Sequence, residues 1–114
     1  MKRNHIGEFE EVVLLTVAVL HDNAYAIAII DEMQERLNRK TSIGSLQTVL
    51  RRLEKKGYLT SEFGEVTKTR GGKRQKYFQV TNFGKNALEA KKNERMNLWG
   101  DIPGMAFGTS FNFT

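Results

Sequence analysis

Eleven of the chain's eighteen Lys and Arg lie between residues 39 and 77, where only three Glu accompany them. The chemistry open to such a cluster is neutralisation of phosphate, because cations that displace condensed counterions from a duplex bind it whatever its sequence. Residues 1–38 carry three basic and seven acidic side chains, and residues 78–114 carry four and three, so the net charge of +5 comes from one contiguous third. Positive charge gathered in one stretch is the footprint of a nucleic-acid-binding surface.

Other chemistries find few candidates. There is no cysteine, hence no thiol nucleophile, no disulfide and no cysteine zinc site. The two histidines, His5 and His21, stand near the N-terminus and at a helix end, and no HExxH pattern or phosphate-cradling loop occurs. Gly71-Gly72 lacks the strand-to-helix setting of a nucleotide loop. Glu10-Glu11 and Asp31-Glu32 are adjacent pairs whose side chains diverge on a helix, which reads as solvated surface. We expect no enzyme, no cofactor and no metal. No run approaches the roughly 18 apolar residues that span a bilayer, and a pI near 9.6 points to an anionic partner. A cytoplasmic protein with no membrane partner is expected.

The elements that must position the cations can be read from periodicity. Residues 8–21, EFEEVVLLTVAVLH, form a first helix that is apolar nearly all round, so it is either central or shared with a second subunit. A second helix follows over about 24–38, with Asp22 or Asn23 as its cap. Ser42 caps a third, whose apolar face is Ile43, Leu46, Val49, Leu50 and Leu53, and Gly57 ends it behind Lys55 and Lys56. YLTSEF (58–63) and KYFQV (76–80) have the β-branched and aromatic content of strands, joined by a basic loop in which Gly71 and Gly72 permit reversal. Thr81 caps a fourth helix that ends near Trp99. The expected fold is mainly α with one β-hairpin, a winged helix-turn-helix of order α-α-α-β-wing-β-α. Residues 1–81 make the DNA-binding domain, 82–99 a dimerisation helix, and 100–114 a tail of Gly and Phe.

On a wheel of the third helix, Gly44, Thr48, Arg51 and Lys55 lie opposite the apolar face, with Ser45 and Arg52 to one side and Gln47 to the other. Small and hydroxyl residues fill the first turn, where a recognition helix comes closest to base edges. Gln47 and Thr48 can hydrogen-bond bases, Arg51 can take guanine or phosphate, and the free amides after Ser42 favour a phosphate oxygen. Lys68, Arg70, Lys73, Arg74 and Lys76 crowd the hairpin, where a wing follows the backbone or enters the minor groove. The competing reading is a winged-helix module for protein or RNA. Against protein, the tip of the basic loop has no apolar anchor; against RNA, Tyr77 is the only aromatic placed to stack.

GEFEEVVLLTVAVL, AYAIAIIDEM, SIGSLQTVLRRLEKKGYL and GGKRQKYFQVTNFGKNAL together resemble the PadR family of bacterial winged-helix transcriptional regulators, over about residues 7–90. Ile43-Gly44-Ser45-Leu46, Arg52-Leu53-Glu54, Gly57 and the Tyr77…Thr81…Gly84 segment carry the resemblance most specifically. Two positions depart from it: Gln47 stands where the family often has tyrosine, and Ala26 where it commonly has glycine. The resemblance implies a homodimeric repressor on double-stranded DNA with a palindromic operator, in the short branch with a single C-terminal helix. It also implies a dimer contact between the N- and C-terminal helices, for which Phe9, Val13, Leu88, Met96, Leu98 and Trp99 are the candidates. Some relatives hold hydrophobic small molecules between such helices, which leaves an effector open, although Trp99 reads first as a packing anchor. The tail GDIPGMAFGTSFNFT, with four apolar Met or Phe and one charge, either folds back on the dimer or meets a partner.

Overall fold

Three short-range devices set the helix boundaries that matter. The structure, a computed structural model, describes residues 5–66 and 74–108. Its helices are α1 (Glu8–Leu20), α2 (Ala26–Leu37), α3 (Ile43–Lys55) and α4 (Asn82–Gly100), and strands β1 (Leu59–Val66) and β2 (Arg74–Val80) lie between α3 and α4. Ser42 Oγ accepts the Ser45 amide at 3.1 Å and opens α3. At the other end Gly57 takes φ 85°, which places the Tyr58 amide on Leu53 O (2.9 Å) and the Gly57 amide on Glu54 O (3.0 Å). That is the paired-bond C-terminal motif which favours glycine. Thr81 Oγ1 accepts from the Gly84 amide at 3.0 Å and opens α4, while donating to Gly57 O at 2.7 Å.

α1 packs against α2, α3, β2 and α4, which makes it the central helix. Val13, Leu14 and Val17 supply its share of a core completed by Ile29 and Met33 of α2, Leu46, Leu50 and Leu53 of α3, and Tyr58, Leu59 and Phe78 of the hairpin. The opposite side of α1 stays uncovered, with Leu15 46% and Val19 54% exposed. The helix is therefore central, as one branch of the sequence reading expected, and it also retains an open apolar face.

The hairpin is a two-stranded antiparallel sheet in which Leu59 pairs with Val80, Ser61 with Phe78 and Phe63 with Lys76. Its register is irregular between Phe63 and Val66. The Phe78 amide also bonds Ala24 O at 2.9 Å, fastening β2 to the segment before α2. Gly84 shows why α4 can start where it does. A Cβ there would collide with the Tyr58 carbonyl and touch Val80, so only glycine lets the first turn of α4 lie on the hairpin's base.

Several boundaries differ from the sequence reading. Neither Asp22 nor Asn23 caps α2: residues His21–Asn23 form a 3-10 turn, and the helix starts at Ala26 with Tyr25 as N-cap and no side-chain cap bond. His21, at φ 55°, breaks α1 and the chain needs the extra turn to reverse. Both strands extend further toward the wing tip than expected. Ile43, assigned to the apolar face of α3, is exposed because the first turn lies past the edge of the core. The chain after α4 holds one short 3-10 turn, Gly104–Phe107.

Candidate nucleic-acid interface

α2, the turn at 38–42 and α3 form the helix-turn-helix. Asn38 closes α2 in the left-handed conformation (φ 53°, ψ 40°), which Asn tolerates better than most residues, and its amide bonds Gln34 O at 2.9 Å. The turn then leads to Ser42 and directs α3 outward. Ser42, Gly44, Ser45, Gln47, Thr48, Arg51 and Lys55 are all exposed along its outer side. Thr48 Oγ1 donates to Gly44 O at 3.0 Å, so its remaining capacity toward a base is that of an acceptor.

Beside this helix stands the wing. A groove of about 380 Å³ runs between them, with Gln47, Arg51 and Glu54 of α3 on one wall and Arg74, Gln75 and Lys76 of β2 on the other. Ala26, Leu50 and Phe78 form its apolar floor. Cations from two separate elements therefore converge on one concave surface. Glu54 is the single carboxylate in that lining, and it accepts the Ser61 hydroxyl at 2.6 Å. Arg51 and Lys55 form no ion pair among the described residues, so both are available to phosphate. Lys68, Arg70 and Lys73 lie outside the described residues.

One cation expected on this surface is placed elsewhere. Arg52 turns toward α1 and pairs with Glu10 at 3.6 Å. Glu10, a solvated acid by the sequence reading, is instead buried. Its carboxylate also takes Lys56 Nζ at 3.0 and 3.1 Å and the Gly7 amide at 2.8 Å. Burial pushes its pKa up, but the Gly7 amide, the Lys56 ammonium and the Arg52 charge outweigh that and hold it below the ordinary 4.5. Two neighbours on the same turn also hold cations from distant parts of the chain. Glu8 receives Arg39 through both oxygens at 2.8 and 3.0 Å, and Glu11 receives Arg95 at 3.3 Å. The first turn of α1 thus holds the helix-turn-helix turn, the end of α3 and the far part of α4. Nothing in the spacing of Glu8, Glu10 and Glu11 marks these partners, which are 31, 46 and 84 residues away.

The residues expected at a subunit contact divide. Val13 is completely buried in the chain's own core and is not at the surface. Phe9 and Leu88 pack partly against that core, Phe9 beneath the Arg39 guanidinium at 5.0 Å. Met96, Leu98 and Trp99 are exposed at the end of α4, and the Trp99 ring lies 6.2 Å from that of Phe107. Tyr77, the stacking candidate of the RNA reading, is half-buried and meets Tyr25 edge-on at 5.6 Å. Phe63 is the exposed aromatic of the wing. Strand parity alone puts it on the face of Leu59 and Ser61, which becomes legible once β1 is seen to continue beyond residue 63. Among the described residues no group of three His, Asp or Glu converges as metal ligands would.

A helix-turn-helix followed by an antiparallel ribbon, with cations gathered where the two meet, defines a winged-helix DNA-binding protein. Comparison with known proteins agrees. The model of the transcriptional regulator PadR-like family matches residues 14–90. A PadR-like transcription factor from Bacteroides fragilis is similar at 28% identity and a TM-score of 0.67, over 79% of this chain and 82% of that one. A PadR family transcription regulator from Clostridium difficile R20291 is similar at 30% identity and a TM-score of 0.61, over 78% and 91%. One from Eggerthella lenta is similar at 25% identity and a TM-score of 0.64, over 82% and 80%. No curated protein matches. The chain belongs to the PadR-like family of transcriptional regulators, and it is a DNA-binding transcription factor rather than an enzyme. No single helix among its described residues is long and apolar enough to cross a membrane.

Proposed function

We propose that the chain works as a dimeric repressor: two copies place their α3 helices in successive major grooves of a palindromic operator while each wing follows the flanking backbone. The observation that carries this is the shared groove, in which Gln47 and Arg51 of α3 face Arg74 and Lys76 of β2. One duplex can meet both walls at once. Gly44, Ser45, Gln47 and Thr48 read base edges, the free amides after Ser42 take a phosphate oxygen, Arg51 takes guanine or phosphate, and Lys55, Lys68, Arg70, Lys73, Arg74 and Lys76 take phosphate. Residues 1–81 serve DNA and residues 82–99 serve pairing, and the tail at 100–114 either folds back on the pair or meets a partner.

Support for pairing comes from the apolar surface left open on the two helices. Leu15 and Val19 of α1 face outward, and Leu98 and Trp99 at the end of α4 are 70% and 64% exposed. Open apolar surface of this kind marks an association site. A second reading, response to a hydrophobic small molecule, rests on Trp99 and Phe107 standing together there. A winged-helix module for RNA or protein is the alternative to operator binding.

An electrophoretic shift against the DNA upstream of the chain's own gene, repeated across a salt series, tests the proposal. Specific binding with a steep salt slope is expected. Replacing Arg70, Lys73 and Arg74 with Ala should weaken binding to every sequence alike and lower the slope by roughly one unit for each phosphate no longer neutralised. Thr48→Ala should instead change which sequence is preferred. Equal affinity for RNA and duplex DNA of the same sequence would favour the alternative.

A further inference from the structure

The inner face of the hairpin continues past the core that it covers. Leu59 and Phe78 are buried, and Ser61, on the same face, donates to Glu54 of α3 at 2.6 Å. Two residues further out, this face carries Phe63 opposite Lys76, and Phe63 is 57% exposed. A large aromatic beyond the edge of a core contributes little to it. Its neighbours are cations. The Arg74 guanidinium lies 5.8 Å from the ring centroid and Lys76 Nζ lies 5.7 Å from it, and Lys76 is also 5.9 Å from the Phe78 ring. Arg74 Nε is further fixed by the Gly64 carbonyl at 3.1 Å.

Long cationic side chains on an isolated ribbon lose rotamer freedom when they bind phosphate, and that loss weakens each contact. A ring that attracts both cations before DNA arrives removes part of it. Resting on the DNA-binding reading above, we infer that Phe63 is a positioning residue of the interface, whose ring holds Arg74 and Lys76 over the groove in the arrangement that meets the phosphate backbone. Phe63 itself need not touch DNA. Its contribution is independent of base sequence, because both cations it orders face phosphate.

The test uses the full-length protein and a fluorescently labelled duplex of mixed sequence at low salt, followed by anisotropy across a salt series. Phe63→Leu retains apolar bulk and removes the π face, and it should weaken binding about fivefold with the salt slope unchanged, because no charge is lost. Phe63→Tyr should recover wild-type affinity. In an Arg74→Gln, Lys76→Gln background, Phe63→Leu should have no further effect, since the coupling disappears with its partners. Thermal melts of each variant establish that the fold is kept. If the wild type binds and Phe63→Leu binds equally well, the positioning role is wrong and the DNA reading stands. A Phe63→Leu deficit that persists in the double-Gln background means that the ring contacts DNA itself, which also overturns the proposal. A wild type that fails to bind the duplex removes the reading beneath it.

Discussion

Glu10 has three partners around one carboxylate, and its burial makes each of them matter. Lys56, Arg52 and the Gly7 amide together hold its pKa below the ordinary 4.5, so folding is favoured by the ionised form. The sign follows directly. A carboxyl depressed in the folded state contributes its full stability above the unfolded value near 4.5, and this contribution is lost as pH falls through the folded value. Glu10→Gln should therefore cost about 1–2 kcal/mol near neutral pH, leaving Lys56 without its charge partner. The gap in melting temperature between variant and wild type should close on acidification below about pH 4.5. A pH-independent gap would show that the charge is not what stabilises. The spacing of Glu10 in the sequence could not announce this role. Its two cationic partners sit in the last turn of α3 and just past it, and burial of a helix's first turn is decided by what packs over it.

At the scale of elements, the boundaries written in local chemistry were the legible ones. Ser42 and Thr81 cap α3 and α4 as their hydroxyls indicate, and Gly57 ends α3 as a residue free to take φ 85°. The α1-to-α2 link was not legible, because His21 adopts an unusual backbone conformation for which its side chain gives no signal. Strand ends were also missed, since β1 and β2 continue past the core, and outside it apolar alternation stops marking them. Gly84 belongs to this scale because it sets the distance between two elements. Gly84→Ala drives a methyl into the Tyr58 carbonyl and should lower stability by about 1–3 kcal/mol, read as a lower urea midpoint with unchanged m-value. A midpoint equal to wild type would mean that α4 can move away from the hairpin without loss.

The whole molecule is elongated, with principal extents of 63 × 36 × 22 Å and a radius of gyration of 18.1 Å, against about 13 Å for a rounded domain of this length. Such a form leaves more apolar surface open than a single small core can cover, and it is this surface that the proposed pairing would bury. Leu98→Asp combined with Trp99→Asp should weaken self-association by tenfold or more in sedimentation equilibrium, with operator affinity falling in parallel. A wild type that sediments as a monomer at every concentration would remove the dimer from the picture. The clustering of cations along residues 39–77 was evident from the chain alone, and so was the order of elements that brings them together. The diversion of Arg52 and Lys56 to α1 was not, so composition overstates the charge that α3 can offer a duplex.

The Thr81 hydroxyl is bonded on two sides, to the Gly57 carbonyl just past α3 and to the Gly84 amide at the start of α4. Phe83, one residue before Gly84, stacks on Tyr58 at 5.2 Å, so ring and hydroxyl fasten adjacent residues, Tyr58 and Gly57. α4 consequently has no loose pivot at its base. If a neighbouring subunit tilts its far end, the swing must either rupture this clasp or drag the reading helix along with it. A lever of nineteen residues is thus geared to the end of α3 through the Thr81 hydroxyl and the Phe83 ring.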